Sequence, residues 1–176
     1  MTMKKEIVSS IEDVLNSFGS ITYKVSGKSM MPMIVPNRDI VTVKRKTEDM
    51  KLNINDIVLY HQKGKLILHR IVEVLPNSRY VILGDNCSRK EYNILEEDII
   101  GVLTSFKHNG IHYETTDERY AEYVKRLRNS EFIRTKSKLI YDIIVQHLTI
   151  LPSPFITKVK TCLRKLIVFQ IEFVCQ

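Results

Sequence analysis

The sequence predicts a mainly β protein, an antiparallel sheet system curled into a partly closed barrel, with a short N-terminal helix and a helical C-terminal extension. Two observations predict this fold. Between residues 21 and 114, short apolar runs follow one another at regular spacing, separated by turn signals such as Gln62-Lys63-Gly64 and Pro76-Asn77-Ser78. On both sides of this region, apolar residues instead recur at helical spacing. We therefore divide the chain into residues 1–20, 21–114 and 115–176.

The central region contains seven predicted strands. Each is a run of four to eleven residues rich in branched and aromatic side chains, which fit the pleated surface of a sheet. Asn109-Gly110 is typical of a hairpin turn, so the last two strands should pair. The predicted strands are Ile21–Val25, Asp39–Lys44, Ile54–Tyr60, Lys65–Leu75, Arg79–Leu83, Ile99–Lys107 and Ile111–Glu114.

Helical patterns occupy the two ends of the chain. Residues 1–20 form an amphipathic pattern that acidic residues interrupt, which is typical of a short helix and not of a signal peptide. Thr115-Thr116-Asp117 predicts a helix start, because such side chains cap exposed backbone N–H groups. Two further patterns, Lys138–Leu151 and Phe155–Val174, are separated by Pro152-Ser153-Pro154, which stops a helix.

Composition excludes several classes of protein. The chain has 176 residues, 44% of them hydrophobic and 27% charged, which predicts an ordinary globular protein. Three widely spaced cysteines form no metal-ligand pattern and favour a reducing, cytoplasmic compartment, and no run approaches the about 20 apolar residues of a membrane span. The net charge is +7, and residues 117–176 carry 11 Lys and Arg against 6 Asp and Glu. Such an extension could contact anionic lipid, nucleic acid or an acidic peptide, or form a solvated helix face.

Ser29 is the first candidate for chemistry. It follows Gly27, which permits close approach of a partner to the backbone, and it precedes Pro32, which fixes the chain direction. The segment therefore reads as a strand that ends in a turn carrying a hydroxyl group. Taken alone, an ordinary turn serine is the simpler interpretation.

Two further groups change that interpretation. His69 lies within the apolar strand KLILHRIV, and Gly84-Asp85-Asn86 ends the strand that follows. A serine on a turn, a histidine on a strand and an acidic residue after a turn are the components of nucleophilic acyl transfer. An imidazole can accept the proton of a serine near neutral pH, and a carboxylate can orient the imidazole.

These motifs resemble those of the signal peptidase I and LexA-like serine peptidases. GKSMMPMI resembles the nucleophile motif, KLILHRIV the general-base strand, and LGDNCSRKE with EEDIIGVL the Gly-Asp-Asn box and the closing strand. The resemblance covers residues 21–106. It implies a fold of long coiled β-strands, with Ser29 as nucleophile and His69 as base. Histidine in the base position is typical of the endoplasmic-reticulum and archaeal signal peptidase branch.

The resemblance leaves the acid open. Glu91 occupies the position of the third catalytic member, although Lys90 replaces the aspartate that precedes it in that branch, and Asp85 is the alternative. The oxyanion hole would be formed at Ser29, through its backbone N–H, and at Gly27. Members of the family carry a hydroxyl residue at the position of Gly27. Substrate would contact the Met30–Pro32 part of the motif. No metal and no other cofactor is implied.

The resulting expectation is a short, anchorless serine endopeptidase that cleaves a leader or signal-like segment of a precursor, bound as an extended strand. A DNA-reading domain is not expected, because about twenty residues precede the β region, so no nucleic-acid partner is predicted. The rival interpretation is an inactive peptidase-fold binding module that docks on a membrane surface or a peptide through its basic extension. Residues 152–176 are the predicted peripheral membrane contact in either case.

Overall fold

The computed structural model describes residues 11–129 and residue 143. This part of the chain is mainly β: eight antiparallel strands form one curled sheet, accompanied by helices α1 (residues 11–18) and α2 (residues 118–129). The strands are β1 (Ser20–Lys24), β2 (Ile40–Arg45), β3 (Ile57–Gln62), β4 (Lys65–Leu75), β5 (Arg79–Leu83), β6 (Glu91–Leu95), β7 (Ile99–His108) and β8 (Ile111–Glu114).

All seven predicted strands are present, and three of them, β4, β5 and β8, have the predicted bounds. The eighth strand, β6, was not predicted. Its sequence Glu91–Leu95 exposes three of five residues and buries only Ile94, so it lacks a long apolar run. It forms by pairing with the apolar strand β5, to which it is joined in register at Tyr80 and Ile94. A 3₁₀ turn, Glu96–Asp98, connects it to β7.

The sheet follows the order β1-β2-β7-β3-β4-β5-β6, with β8 also paired to β7. The strand β7 therefore pairs with three other strands. It pairs with β2 along one edge, and along the other edge with β3 and then with β8. Within the described residues, β1 and β6 end the path, so the curled sheet remains open at these two strands.

Two apolar cores lie on opposite faces of the sheet, and β3 contributes to both. Successive side chains of a strand point to opposite faces, so Ile57 and Leu59 join the first core while Val58 and Tyr60 join the second. All four are nearly inaccessible to solvent. This double burial explains the continuous apolar run in β3, and it fixes the register of the strand because a shift by one residue would exchange the two faces.

The helices cover the first core. Leu15 of α1 and Tyr120 and Val124 of α2 belong to it. The helix α1 ends at Gly19, which has a φ of 73° and donates its N–H to the carbonyl of Leu15. The helix α2 begins directly after the predicted start signal Thr115-Thr116-Asp117. The backbone carbonyl of Asp117 accepts the N–H of Ala121, whereas its side chain accepts the N–H of Glu114. Of the predicted helices Lys138–Leu151 and Phe155–Val174, only residue 143 is described, and it is helical. Residues 1–10 also lie outside the described residues.

Asp39 anchors the long segment between β1 and β2 that carries Ser29. Its carboxylate is buried and accepts the N–H of Val35, the guanidinium of Arg38 and Nδ1 of His108, the last at 2.7 Å. Burial raises the pKa of Asp39, but these hydrogen bonds outweigh burial and hold the pKa below its ordinary value. The cluster connects the Ser29 segment to the end of β7.

Candidate active site

Ser29 is held in place by the turn that follows β5. The backbone N–H of Asn86 donates to the carbonyl of Ser29 at 2.7 Å, and the side-chain amide of Asn86 donates to the carbonyl of Lys28 at 3.0 Å. On the other side, Met30 and Ile34 are buried in the first core and anchor the turn from below. Ser29 itself is half-buried. The Gly84-Asp85-Asn86 turn therefore positions the serine through two hydrogen bonds.

Gly84 is the point at which the serine and histidine segments meet. A Cβ atom on this residue would lie 2.8 Å from the carbonyl oxygen of Ser29, 2.8 Å from Nε2 of His69 and 2.8 Å from Sγ of Cys87. Each of these distances is shorter than real Cβ contacts permit, so only glycine fits here. The carbonyl oxygen of Ser29 and Nε2 of His69 therefore both lie next to the space that a side chain at residue 84 would occupy.

His69 is turned so that its two ring nitrogens have different surroundings. Its residue exposure is 5%, and Nε2 faces Gly84. Nδ1 lies 3.3 Å from Oε1 of Glu91 and 3.2 Å from the hydroxyl of Tyr60. The Tyr60 hydroxyl donates a short hydrogen bond to Oε2 of Glu91. The three side chains form a closed triangle on the face of the sheet that carries the second core.

Burial and charge act in opposite directions on His69. Burial lowers the pKa of its imidazole, because the charged form loses hydration, while the carboxylates of Glu91 and Asp85 favour the charged form. Burial prevails, and the pKa lies below its ordinary value. The imidazole is therefore neutral at neutral pH, which is the form that can accept a proton.

The two candidate acids occupy different places. Glu91 contacts Nδ1 of His69, whereas Asp85 forms a bidentate ion pair with Arg70, with distances of 2.9 and 2.8 Å. Arg70 follows His69 in β4 and points to the opposite face of the sheet, and both charged side chains of the pair are buried. Of the two acids left open by the sequence, Glu91 has the geometry that orients the imidazole.

The buried ion pair is connected to α2. The guanidinium of Arg70 donates to the hydroxyl of Tyr120 at 2.8 Å and to the carbonyl of Asn55 at 2.9 Å. The hydroxyl of Tyr123 donates to Asp85 at 3.2 Å. The helix after the β region therefore supports the turn that holds Ser29.

The oxyanion prediction concerns backbone N–H groups. Within residues 11–129, the N–H groups of Ser29 and Met30 donate to no protein acceptor. Gly27 lies near the hydroxyl of the serine, since a Cβ on Gly27 would lie 4.0 Å from Oγ of Ser29. In the same part of the chain no hydrogen bond joins Oγ of Ser29 to Nε2 of His69. Such contacts are often long in the absence of substrate.

The residues predicted to contact substrate differ in exposure. The side chain of Met30 is buried, with 1% exposure, so it packs in the core and only its backbone is available to a ligand. Pro32 is half-buried and lines a cleft of about 260 Å³ between the Ser29 segment, β7, β8 and α2. Their contact with substrate stays a prediction.

Sequence reasoning missed Tyr60, although the signal was present. Lys63 and Gly64 both have positive φ and form a two-residue hairpin between β3 and β4. Pairing the residues of the two strands stepwise from this turn places Val58 opposite His69. Tyr60, two residues from Val58 on the same face, is then the diagonal neighbour of the histidine. The register of a tight hairpin therefore predicts the neighbour of the candidate base.

Two absences concern the described part of the chain alone. Its His, Cys, Asp and Glu side chains form no group of three or more that could hold a metal ion. None of its helices is both long and apolar enough to cross a membrane. The predicted membrane contact, residues 152–176, lies outside residues 11–129.

No protein-family model and no curated protein matches the chain.

Proposed function

We propose that this protein is a serine endopeptidase in which Ser29 is the nucleophile, His69 the general base and Glu91 the acid that orients it. The observation that carries the proposal is the meeting of the Ser29 turn and Nε2 of His69 at Gly84, with Glu91 at Nδ1. The proximity of these three groups, which are far apart in sequence, supports a Ser-His-acid arrangement for acyl transfer.

In the proposed reaction, Oγ of Ser29 attacks the carbonyl carbon of a peptide bond while Nε2 of His69 takes the hydroxyl proton. The imidazolium that forms is stabilised by Glu91. The negative oxygen of the tetrahedral intermediate accepts hydrogen bonds from the N–H groups of Ser29 and Met30, which have no other acceptor within residues 11–129. The intermediate expels the amine, which receives its proton from His69. A water molecule, activated by His69, then hydrolyses the acyl-enzyme.

We further propose that the substrate is an extended segment of a peptide or precursor protein. The strand β1 ends the described sheet on one side and leads directly into the Ser29 segment. A peptide paired along the open edge of β1 would therefore be delivered toward Ser29, with backbone hydrogen bonds for affinity and side-chain pockets for the cleavage position.

Incubation with a mixed peptide library, read by mass spectrometry, tests the proposal. Wild-type protein should generate new peptide termini with a shared sequence preference, and Ser29→Ala and His69→Ala should generate none. Glu73→Gln, at an exposed position near the end of β4 and outside both β1 and the candidate site, serves as the preparation control. Cleavage that persists in Ser29→Ala would show that the activity comes from elsewhere. Peptide binding without cleavage by any variant would favour the inactive binding module.

A further inference from the structure

The hydroxyl of Tyr60 lies between the two groups that the proposed function pairs. It donates to Oε2 of Glu91 and lies 3.2 Å from Nδ1 of His69. Because its proton is directed at Glu91, its oxygen lone pairs remain to accept a hydrogen bond. Burial raises the pKa of Tyr60, and the hydrogen bond to Glu91 raises it further, so the phenol stays protonated and keeps this direction at neutral pH.

This geometry has a consequence for the tautomer of His69. Both neighbours of Nδ1, the carboxylate of Glu91 and the oxygen of Tyr60, act as acceptors. A neutral imidazole carries one N–H and one bare nitrogen, and two acceptors at Nδ1 favour the proton there. Nε2 is then bare, and it is the nitrogen that faces Gly84 and the Ser29 turn.

The position of Tyr60 also limits the motion of Glu91. Glu91 is on the short strand β6, partly exposed at 22% of its side chain, and its longer arm could turn toward solvent. Tyr60 has no accessible surface and is packed in the second core. A donor buried in the core therefore holds the carboxylate of a partly exposed acid on an edge strand.

We infer that Tyr60 is a positioning residue of the candidate active site: its hydroxyl fixes the carboxylate of Glu91 and, together with it, selects the His69 tautomer whose Nε2 is free to act as base. The inference rests on the proposed function for its kinetic consequence. Its structural part concerns only the proton of His69 and is measured independently of activity.

The test compares Tyr60→Phe with Tyr80→Phe. Both variants remove one hydroxyl from a buried tyrosine of the same core, but only Tyr60 contacts His69. In ¹⁵N-histidine-labelled protein, the nitrogen chemical shifts report which ring nitrogen carries the proton, and the His69 signal is assigned by its loss in His69→Gln. We expect wild type and Tyr80→Phe to hold the proton on Nδ1. In Tyr60→Phe the population with the proton on Nε2 should rise.

The same variants give a kinetic prediction. Loss of one hydrogen bond to a charged group should lower kcat of Tyr60→Phe by about tenfold to a hundredfold, with KM within about twofold. If Tyr60→Phe does not fold, Glu91→Ala removes the other acceptor at Nδ1 together with the acceptor of the Tyr60 hydroxyl proton, and it should show the same rise in the Nε2–H tautomer.

The outcomes separate the two claims. An unchanged tautomer in Tyr60→Phe or in Glu91→Ala overturns the inference, whatever the activity. If the tautomer changes as expected but wild type and Ser29→Ala are equally unable to cleave peptides, the inference about Tyr60 is supported and the proposed function is rejected. Full activity in Tyr60→Phe with an altered tautomer overturns the positioning role.

Discussion

The substitution Gly84→Ala should separate Ser29 from His69 with the smallest possible chemical change. The added methyl carbon would lie 2.8 Å from Nε2 of His69 and 2.8 Å from the carbonyl oxygen of Ser29, whereas ordinary contacts begin at 3.4 Å. This carbonyl belongs to the backbone and already accepts a hydrogen bond from the N–H of Asn86 at 2.7 Å, so moving it would disturb that bond and the chain around it. Relief of this clash therefore requires the Ser29 and His69 segments to move apart by several tenths of an ångström or more.

The expected magnitudes follow from that displacement. Overpacking a buried site costs about 1–3 kcal/mol of unfolding free energy. Misplacing reacting groups by about 1 Å can cost about a hundredfold in rate. We expect Gly84→Ala to remain folded in buffer, to lose stability within that range and to lose about a hundredfold in kcat/KM per folded molecule.

Gly101→Ala supplies the matched control. A Cβ there would lie 2.6 Å from Cγ1 of Val43 and 3.0 Å from the carbonyl of Lys44, where β2 and β7 pair. It should cost similar stability in urea denaturation but leave kcat/KM close to wild type once corrected for folded protein. Equal kcat/KM in Gly84→Ala and Gly101→Ala would refute the reasoning, because the steric clash would then have no bearing on the site.

Three further predictions use other contacts. Arg70→Met should lower the unfolding free energy in urea by about 3–5 kcal/mol, because it removes the guanidinium that pairs with the buried charge of Asp85. Arg70→Met combined with Asp85→Leu should recover most of this loss, and simple additivity of the two variants would contradict the prediction. Burial lowers the pKa of His69 and the carboxylate of Glu91 raises it, with burial prevailing, so activity should fall as pH decreases through a pKa below 6.5. Glu91→Gln should lower the maximal rate and move the acidic limb of the pH–rate profile to lower pH. An acidic limb that moves to higher pH would exclude Glu91 as the partner of His69. The lowered pKa of Asp39 means that its contribution is present above its unfolded-state pKa and is lost as pH falls through its folded-state pKa. Wild type should therefore lose stability below about pH 4 more steeply than Asp39→Asn, and parallel pH curves in thermal unfolding would be inconsistent with the buried cluster.

Much of the β region could be predicted because its strands carry their own signals. The eleven residues of β4 are rich in apolar side chains and lie between the turn Gln62-Lys63-Gly64 and Pro76, so both bounds followed from the sequence. The strand β6 could not be predicted in this way, because it exposes Tyr92 and Leu95 and forms through its partner β5. Tertiary pairing decided that element, and local propensity did not.

The candidate site shows the same division. Ser29 and His69 were identified by residue type and order, but the choice between Glu91 and Asp85 depended on which face of the sheet each carboxylate occupies. That choice required β6, which brings Glu91 beside β5, and Arg70, which takes Asp85 on the opposite face. Neither pairing leaves a pattern within a single segment.

The contribution of α2 was equally hidden in the sequence. The sequence predicted a helix start at Thr115-Thr116-Asp117, and Tyr120 and Val124 of this helix lie in the first core. The hydroxyl groups of Tyr120 and Tyr123 reach Arg70 and Asp85, more than 35 residues away in sequence. A periodic pattern predicts that a face is buried, but it does not specify which polar groups lie beneath that face.

Covalent labelling of Ser29 is the most direct test of the central claim. A serine-directed phosphonate or a peptidyl boronate should modify wild-type protein at one site, and peptide mapping of the phosphonate adduct should locate it at Ser29. Labelling should be absent in Ser29→Ala and strongly reduced in His69→Ala, because the hydroxyl needs the imidazole as its base. Labelling of wild type at another residue, or equal labelling rates in wild type and His69→Ala, would contradict the proposed Ser29–His69 mechanism.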